Sequence, residues 1–165
     1  MRDEVLEQAV NISRDLEAGV DAFGDDFAFL REVCAVSHKN MQPDSARGEN
    51  WGHLVRDIVP YPPRLPDAPL IPGFALYGAD FFDPDTPLML FDLICDRDPL
   101  SYVLDNILLP IVRHWVSCFL NFGFLLEPHG QNVLLELAED RTIRRIVHRD
   151  LSVGIDMRRR RDLGL

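Results

Sequence analysis

Four side chains with donor or acceptor chemistry, Glu127, His129, Gln131 and Asn132, fall within the run Glu127-Pro128-His129-Gly130-Gln131-Asn132, and an Arg149-Asp150 pair follows. The carboxylate of Asp150 and the amide oxygen of Asn132 are hard ligands of the kind that hold Mg²⁺. That cation is usually bound by one or two protein groups together with nucleotide phosphates. Arg149, and with it Arg145, would add fixed positive charge around a reacting phosphoryl or carboxylate group. The flanking segments read as strands, Asn132 to Leu137 and Thr142 to Arg149, joined by the polar turn Ala138 to Arg141. An antiparallel hairpin about that turn brings Asn132 opposite Asp150 at its open end, with His129, Gln131 and Arg149 close by. The same residues have a plainer reading. In it His129-Gly130 is a turn, Asn132 caps a strand end, and Asp150 is a surface acid paired with Arg149.

His148-Arg149-Asp150-Leu151 copies the start of the protein-kinase catalytic loop, which needs an asparagine five residues after its aspartate to hold a second metal ion. Ile155 stands in that place, and neither a Gly-rich phosphate loop nor a V-A-I-K strand lies upstream. A true protein kinase is thereby excluded. A kinase-like phosphotransferase with Asn132 and Asp150 as metal ligands stays open and would release ADP. A noncatalytic interaction module is the third reading, and it would associate with concentration and leave Mg·ATP unbound.

The elements that must position these residues are legible in part. Val5, Ala9, Ile12, Leu16 and Val20 recur at helical spacing and predict an amphipathic helix ending near Gly19 to Gly24. Phe27, Leu30, Val33 and Cys34 predict a second helix behind Asp25-Asp26, making residues 1–39 a helical segment. Residues 40–73 are rich in proline, which fixes φ and removes backbone donors, so an extended crossing segment is expected. Trp51, Val55, Ile58, Val59, Leu65 and Ile71 make that segment too apolar for a free linker, and it should lie across a larger body. Thr86-Pro87 and Asp98-Pro99 each read as a helix start, giving helices over residues 86–121 with a kink at Pro110. The polar positions of the second, Ser101, Asp105, Arg113, Ser117 and Asn121, form one narrow stripe. Such a helix must be buried on most sides, which a chain of 165 residues is hard pressed to do. Residues 122–150 then carry the strands and the site. The fold class expected is α+β: N-terminal helices, the Pro-rich segment, a long apolar helix, then the site-bearing hairpin, all in one partial domain.

Charge bounds the partners. The net charge of −10 argues against a general nucleic-acid binder. The balance is uneven, because residues 140–165 hold 8 arginines and 4 aspartates. That Arg-rich end, residues 151–165 above all, is either a solvated basic segment or a surface facing an anionic ligand. Cys34, Cys95 and Cys118 form no metal or CxxC pattern and read as reduced core thiols of a cytoplasmic protein. The N-terminus lacks an apolar signal core. Pro110, Arg113 and His114 interrupt the most apolar stretch, so no membrane span is expected.

The run Glu-x-His-Gly-Gln-Asn followed after a hairpin by Arg-Asp resembles the hallmark of siderophore synthetases that work independently of nonribosomal peptide synthetases, the aerobactin-type or IucA/IucC-like family. Phe29-Leu30-Arg31-Glu32 is similar to the family's helix ending in glutamate, and Leu70-Ile71-Pro72-Gly73-Phe74-Ala75-Leu76 to its proline-marked stretch. The resemblance spans roughly residues 27–154. It implies part of a larger fingers, palm and thumb fold, and an enzyme that activates a carboxylate such as citrate as an acyl-adenylate for attack by an amine, hydroxylamine or alcohol. It also implies roles for individual residues. His129 would contact carboxylate and nucleotide, with Arg149 as its catalytic companion. Gln131 would contact ATP, Asn132 and Asp150 would hold Mg²⁺ and nucleotide, and Glu127 would be a further metal or orienting acid. No covalent protein nucleophile is called for. Family members are far longer, so the expectation is a fragment carrying about one wall of the site. Its partner is expected to be a second copy or the missing halves of a split synthetase.

Overall fold

The computed structural model describes residues 2–37, 52–64, 67–80, 82–83 and 85–165. Helix α1, Arg2–Ala18, is the predicted amphipathic helix, and a 3₁₀ turn at Val20–Phe23 follows it. Its apolar stripe buries Ala9, Val10, Ile12 and Leu16.

The predicted second helix is instead two strands, β1 (Phe27–Phe29) and β2 (Glu32–Ser37). The reason is tertiary. β1 pairs in parallel with a strand more than a hundred residues away, and that partner supplies the backbone bonds a helix would have supplied internally. β3 (Gly52–Arg56) pairs antiparallel with β2, and β4 (Leu70–Pro72) forms an edge strand. The Pro-rich segment is thus extended as expected, but it also contributes two strands and a bridge from Tyr61 to Phe29. It is only partly covered, for Ile58 is 86% exposed. Residues 38–51, 65 and 66, including Trp51, Leu65 and Pro66, lie outside the described residues.

Helix α2 begins at Met89 and ends at Ile94, later than Thr86-Pro87 would have it. Thr86 closes a turn with Asp83 instead, its hydroxyl donating to the Asp83 carboxylate at 2.7 Å. Asp98 does cap the next helix, accepting from Ser101 N at 2.8 Å. Helix α3 (Pro99–Val103) runs through a π turn at Leu104–Leu108 into α4 (Leu109–Phe122). Pro110 has no N–H to give to Asn106, and the wider turn sits where that bond would fall. The helix therefore continues without a break from Pro99 to Phe122, long and apolar enough by length and composition to cross a membrane. One side of it enters the core through Tyr102, Ile107, His114, Cys118 and Phe122, while Leu100, Leu108, Val112, Trp115 and Leu120 are exposed.

Gly123, at φ 71, ends the helix and turns the chain into β5 (Phe124–Leu125). The hairpin follows as β6 (Val133–Leu137) and β7 (Ile143–His148), and β8 (Gly154–Ile155) pairs with β5. The closing helix α5, Met157–Leu163, is capped by Asp156. The main sheet has the order β1-β7-β6-β4. Val133, Leu135, Leu137 and Ile146 pack with Tyr102 and Ile107 of the long helix, whereas Leu134 and Val147 pack with Ala28 and Leu30. Cys118 is the sole cysteine in the core among the described residues; Cys34 and Cys95 are exposed, against expectation.

Candidate functional site at the open end of the hairpin

The alternation of the hairpin fixes its register. Val133 lies opposite His148, Leu135 opposite Ile146 and Glu136 opposite Arg145. Continuing one step, Asn132 O accepts from Arg149 N at 2.9 Å. Asn132 therefore faces Arg149, and Asp150 lies one residue beyond the place the sequence assigned to it. Between them the two strand ends bring Gln131, Asn132, Arg149 and Asp150 to one edge of the molecule. Arg149 Nε donates to Gln131 O at 2.7 Å, which closes the opening.

The residues before β6 form a tight turn. Asn132 N and Val133 N both donate to His129 O, at 2.8 and 3.1 Å. The turn rests on the segment that follows β4, where Phe74 N donates to Gly130 O at 3.0 Å. A side chain would crowd this approach, because a Cβ on Gly130 would stand 3.0 Å from both Phe74 N and Tyr77 Oη. The stretch Leu70 to Leu76 thus backs the motif directly. His129 is exposed, while Asn132 is buried. Asn132 Nδ2 lies 3.1 Å from His129 Nε2, and Gln131 N lies 3.3 Å from His129 Nδ1. A neutral imidazole has one acceptor nitrogen, so the ring serves one of these contacts at a time. Which one it serves decides whether Asn132 Oδ1 turns to His129 or is free for a cation.

Asp150 has φ 66, in the left-handed region that residues with a Cβ seldom adopt. Its Oδ1 accepts from Ser152 N at 3.2 Å. Leu151, fully buried, follows, and its N–H points at the carboxylate of Glu32, 3.4 Å away. Glu127 is exposed, and its carboxylate has no partner among the described residues. Among the described residues no three His, Cys, Asp or Glu side chains converge as a metal cage. A few oxygen donors at an open edge is still the form in which proteins hold Mg²⁺ when phosphates complete the shell.

One expectation about arginines fails. Arg145 is buried and forms an ion pair with Glu136 across the ladder, while its Nη1 donates to Pro62 O at 2.8 Å. It therefore braces the sheet and does not face the site. In the Arg-rich end, Arg159 donates to Leu120 O at 3.0 Å and Arg160 to Phe122 O at 3.2 Å and Asp15 at 2.9 Å. These two cap the carboxyl end of the long helix, where positive charge is favourable. A cleft of about 950 Å³ lies at the opposite end of the hairpin, lined by Ile71, Leu137 and Asp140, far from the motif.

Sequence reasoning missed the buried pair His114 and His148, whose rings meet edge to face at 5.6 Å beneath the site. Burial pushes the His114 imidazole down to about 4, the charge of Asp26 opposing it only in part. Burial, with His114 alongside, takes His148 down to about 3. Both rings are neutral at neutral pH. Their separation in sequence hides the pairing.

No protein-family model matches the chain, and no curated protein matches it. Solved structures do. The petrobactin biosynthesis protein AsbB from Bacillus anthracis str. Sterne matches with a TM-score of 0.66 at 17% identity, over 94% of this chain and 26% of its own. The aerobactin synthetase IucC from a hypervirulent pathotype of Klebsiella pneumoniae matches with a TM-score of 0.66 at 19% identity, over 94% of this chain and 28% of its own. The chain has the fold of a segment of these proteins. It spans about a quarter of their length.

Proposed function

We propose that this chain is part of an ATP-dependent siderophore synthetase and carries one wall of its site for Mg²⁺, nucleotide and carboxylate. The observation that supports the reading most is the convergence of His129, Gln131, Asn132, Arg149 and Asp150 at one edge of a fold shared with two siderophore-biosynthesis proteins. Asn132 and Asp150, with Glu127, would hold Mg²⁺, whose charge would offset that of the phosphates. Gln131 and His129 would contact the nucleotide, and His129 the substrate carboxylate. Arg149 spends its Nε on Gln131 O, and the rest of its guanidinium would serve an anion. Positioning and charge neutralisation are what joining a carboxylate to an amine, hydroxylamine or alcohol by way of adenylation requires. Citrate or a derivative is the carboxylate proposed. ATP as co-substrate and reduced thiols suit a cytoplasmic setting.

The rest of the site would come from other polypeptide of the synthetase fold, in a longer chain, a separate one or a second copy. The exposed apolar side of Pro99–Phe122 is a surface such a neighbour would cover. That same surface favours the second reading, a noncatalytic interaction module. Nucleotide product analysis separates the readings. With Mg²⁺, ATP, citrate and hydroxylamine, citrate-dependent AMP supports the synthetase, ADP points to a phosphotransferase, and concentration-dependent association without Mg·ATP binding points to the module.

A further inference from the structure

Glu32 lies far from the motif in sequence, yet its carboxylate faces the backbone N–H of Leu151, the residue after Asp150, at 3.4 Å. The side chain is fully buried at the start of β2. Oε1 accepts from Arg56 Nε at 2.8 Å, lies 2.7 Å from Arg56 Nη2, and faces Leu151 N at 3.4 Å. Oε2 is buried without a partner. The main chain of Glu32 is fixed as well, its N–H donating to Ser13 Oγ at 3.0 Å. A buried carboxylate with one orphan oxygen is a costly way to fill space, and a leucine or methionine would fill it more simply. The oxygen that is used binds one arginine and one peptide N–H, and that peptide joins Asp150 to Leu151.

Asp150 needs such a tether. At φ 66 its backbone sits where a Cβ is disfavoured, and such a conformation persists only when its surroundings over-determine it. Asp150 Oδ1 accepts from Ser152 N at 3.2 Å, and three further anchors hold the turn. Arg149 N is bound to Asn132 O on one side, the Leu151 side chain is buried on the other, and Leu151 N faces Glu32 between them. We infer that Glu32, held by Arg56, is a positioning residue that fixes the left-handed turn at Asp150 and so aims its carboxylate. The inference deepens the proposed function, on which the role of Asp150 as a metal ligand rests. Without the tether the peptide would relax towards an ordinary conformation and swing the carboxylate off its aim.

The test joins amide hydrogen exchange by NMR to calorimetric ATP titration, on the whole chain and its Glu32→Ala and Glu32→Gln variants. Glu32→Ala is expected to speed exchange at Leu151 by about tenfold, with Leu135 and Ile146 in the ladder unchanged. Glu32→Gln keeps an acceptor and should restore the slow exchange. Glu32→Ala should also weaken Mg²⁺-dependent ATP binding by about tenfold and leave metal-free ATP binding unaltered. Slow exchange at Leu151 in Glu32→Ala overturns the inference. So does a freed Leu151 with unchanged Mg·ATP affinity, when Asp150→Asn lowers that affinity. If Glu32→Ala does not fold, Arg56→Gln is judged by the same criteria, because Arg56 holds the carboxylate and is itself partly exposed. Should the unaltered chain fail to bind Mg·ATP, the functional reading fails, and exchange at Leu151 alone decides whether Glu32 positions the turn.

Discussion

The two ends of the β6–β7 hairpin are built differently. At the turn end most bonds are local: Asp140 Oδ1 accepts from Thr142 N and Thr142 Oγ1 at 3.0 and 2.6 Å, Ala138 N donates to Thr142 O at 2.9 Å, and one bond from further off joins them, Leu137 N to Pro69 O at 3.0 Å. At the open end distant segments do the holding. Phe74 meets Gly130, Asn132 meets Arg149, and Glu32 meets Leu151. The turn end borders the 950 Å³ cleft. The contrast teaches that the site proposed above lies at the end tied by distant segments, not at the end beside the cleft. Left-handed backbone does not tell the ends apart, for Arg141 at the turn, φ 65, shares it with Asp150, φ 66.

Each end can be disturbed separately, and so can the ladder between them. The largest effect is expected from Arg145→Ala, which strands the buried Glu136 carboxylate midway along the hairpin. A loss of about 3–5 kcal/mol in urea unfolding is expected, with both ends loosened together. Next comes pH. The unfolded chain takes up protons below about 6.5, the ordinary histidine value, while His114 resists until about 4. His114 should therefore withdraw about 3 kcal/mol of stability as pH drops through that window, and His114→Leu should remove that share while the share of His148 remains. Urea midpoints measured across that range check both claims. Gly130→Val should cost roughly 1–3 kcal/mol through its clash with Phe74 and Tyr77, and should disturb NMR signals at Asn132 more than at Thr142. Asp140→Ala should have the smallest effect, a slight fall in midpoint with nucleotide binding untouched, because it removes contacts local to the turn.

Much of this arrangement was legible in the sequence where the signal was local. The polar turn between two apolar runs fixed the hairpin, and the narrow polar stripe announced a helix that this chain leaves half uncovered. The register came out one residue off at the open end. Leu137 pairs with Ile143 but Glu136 with Arg145, an irregularity beside the turn that the sequence pattern does not reveal. The second helix was misread because Phe27, Leu30 and Val33 satisfy helical spacing while strand pairing with Ile146 to His148 decides the outcome. Arg145 looked available for the site because alternation alone cannot reveal that Glu136 claims it from the neighbouring strand. Glu32 and the two histidines were invisible as a group for the same reason: their partners are brought together only by the fold.

The central claim is that the open end binds a nucleotide through Mg²⁺ with Asp150 as a ligand. Calorimetric titration of ATP into the chain, with and without Mg²⁺, tests it most directly when Asp150→Asn is measured beside it. The account predicts Mg²⁺-dependent binding that Asp150→Asn weakens by about tenfold or more. Equal binding in the two proteins, or none in the unaltered chain, would contradict it.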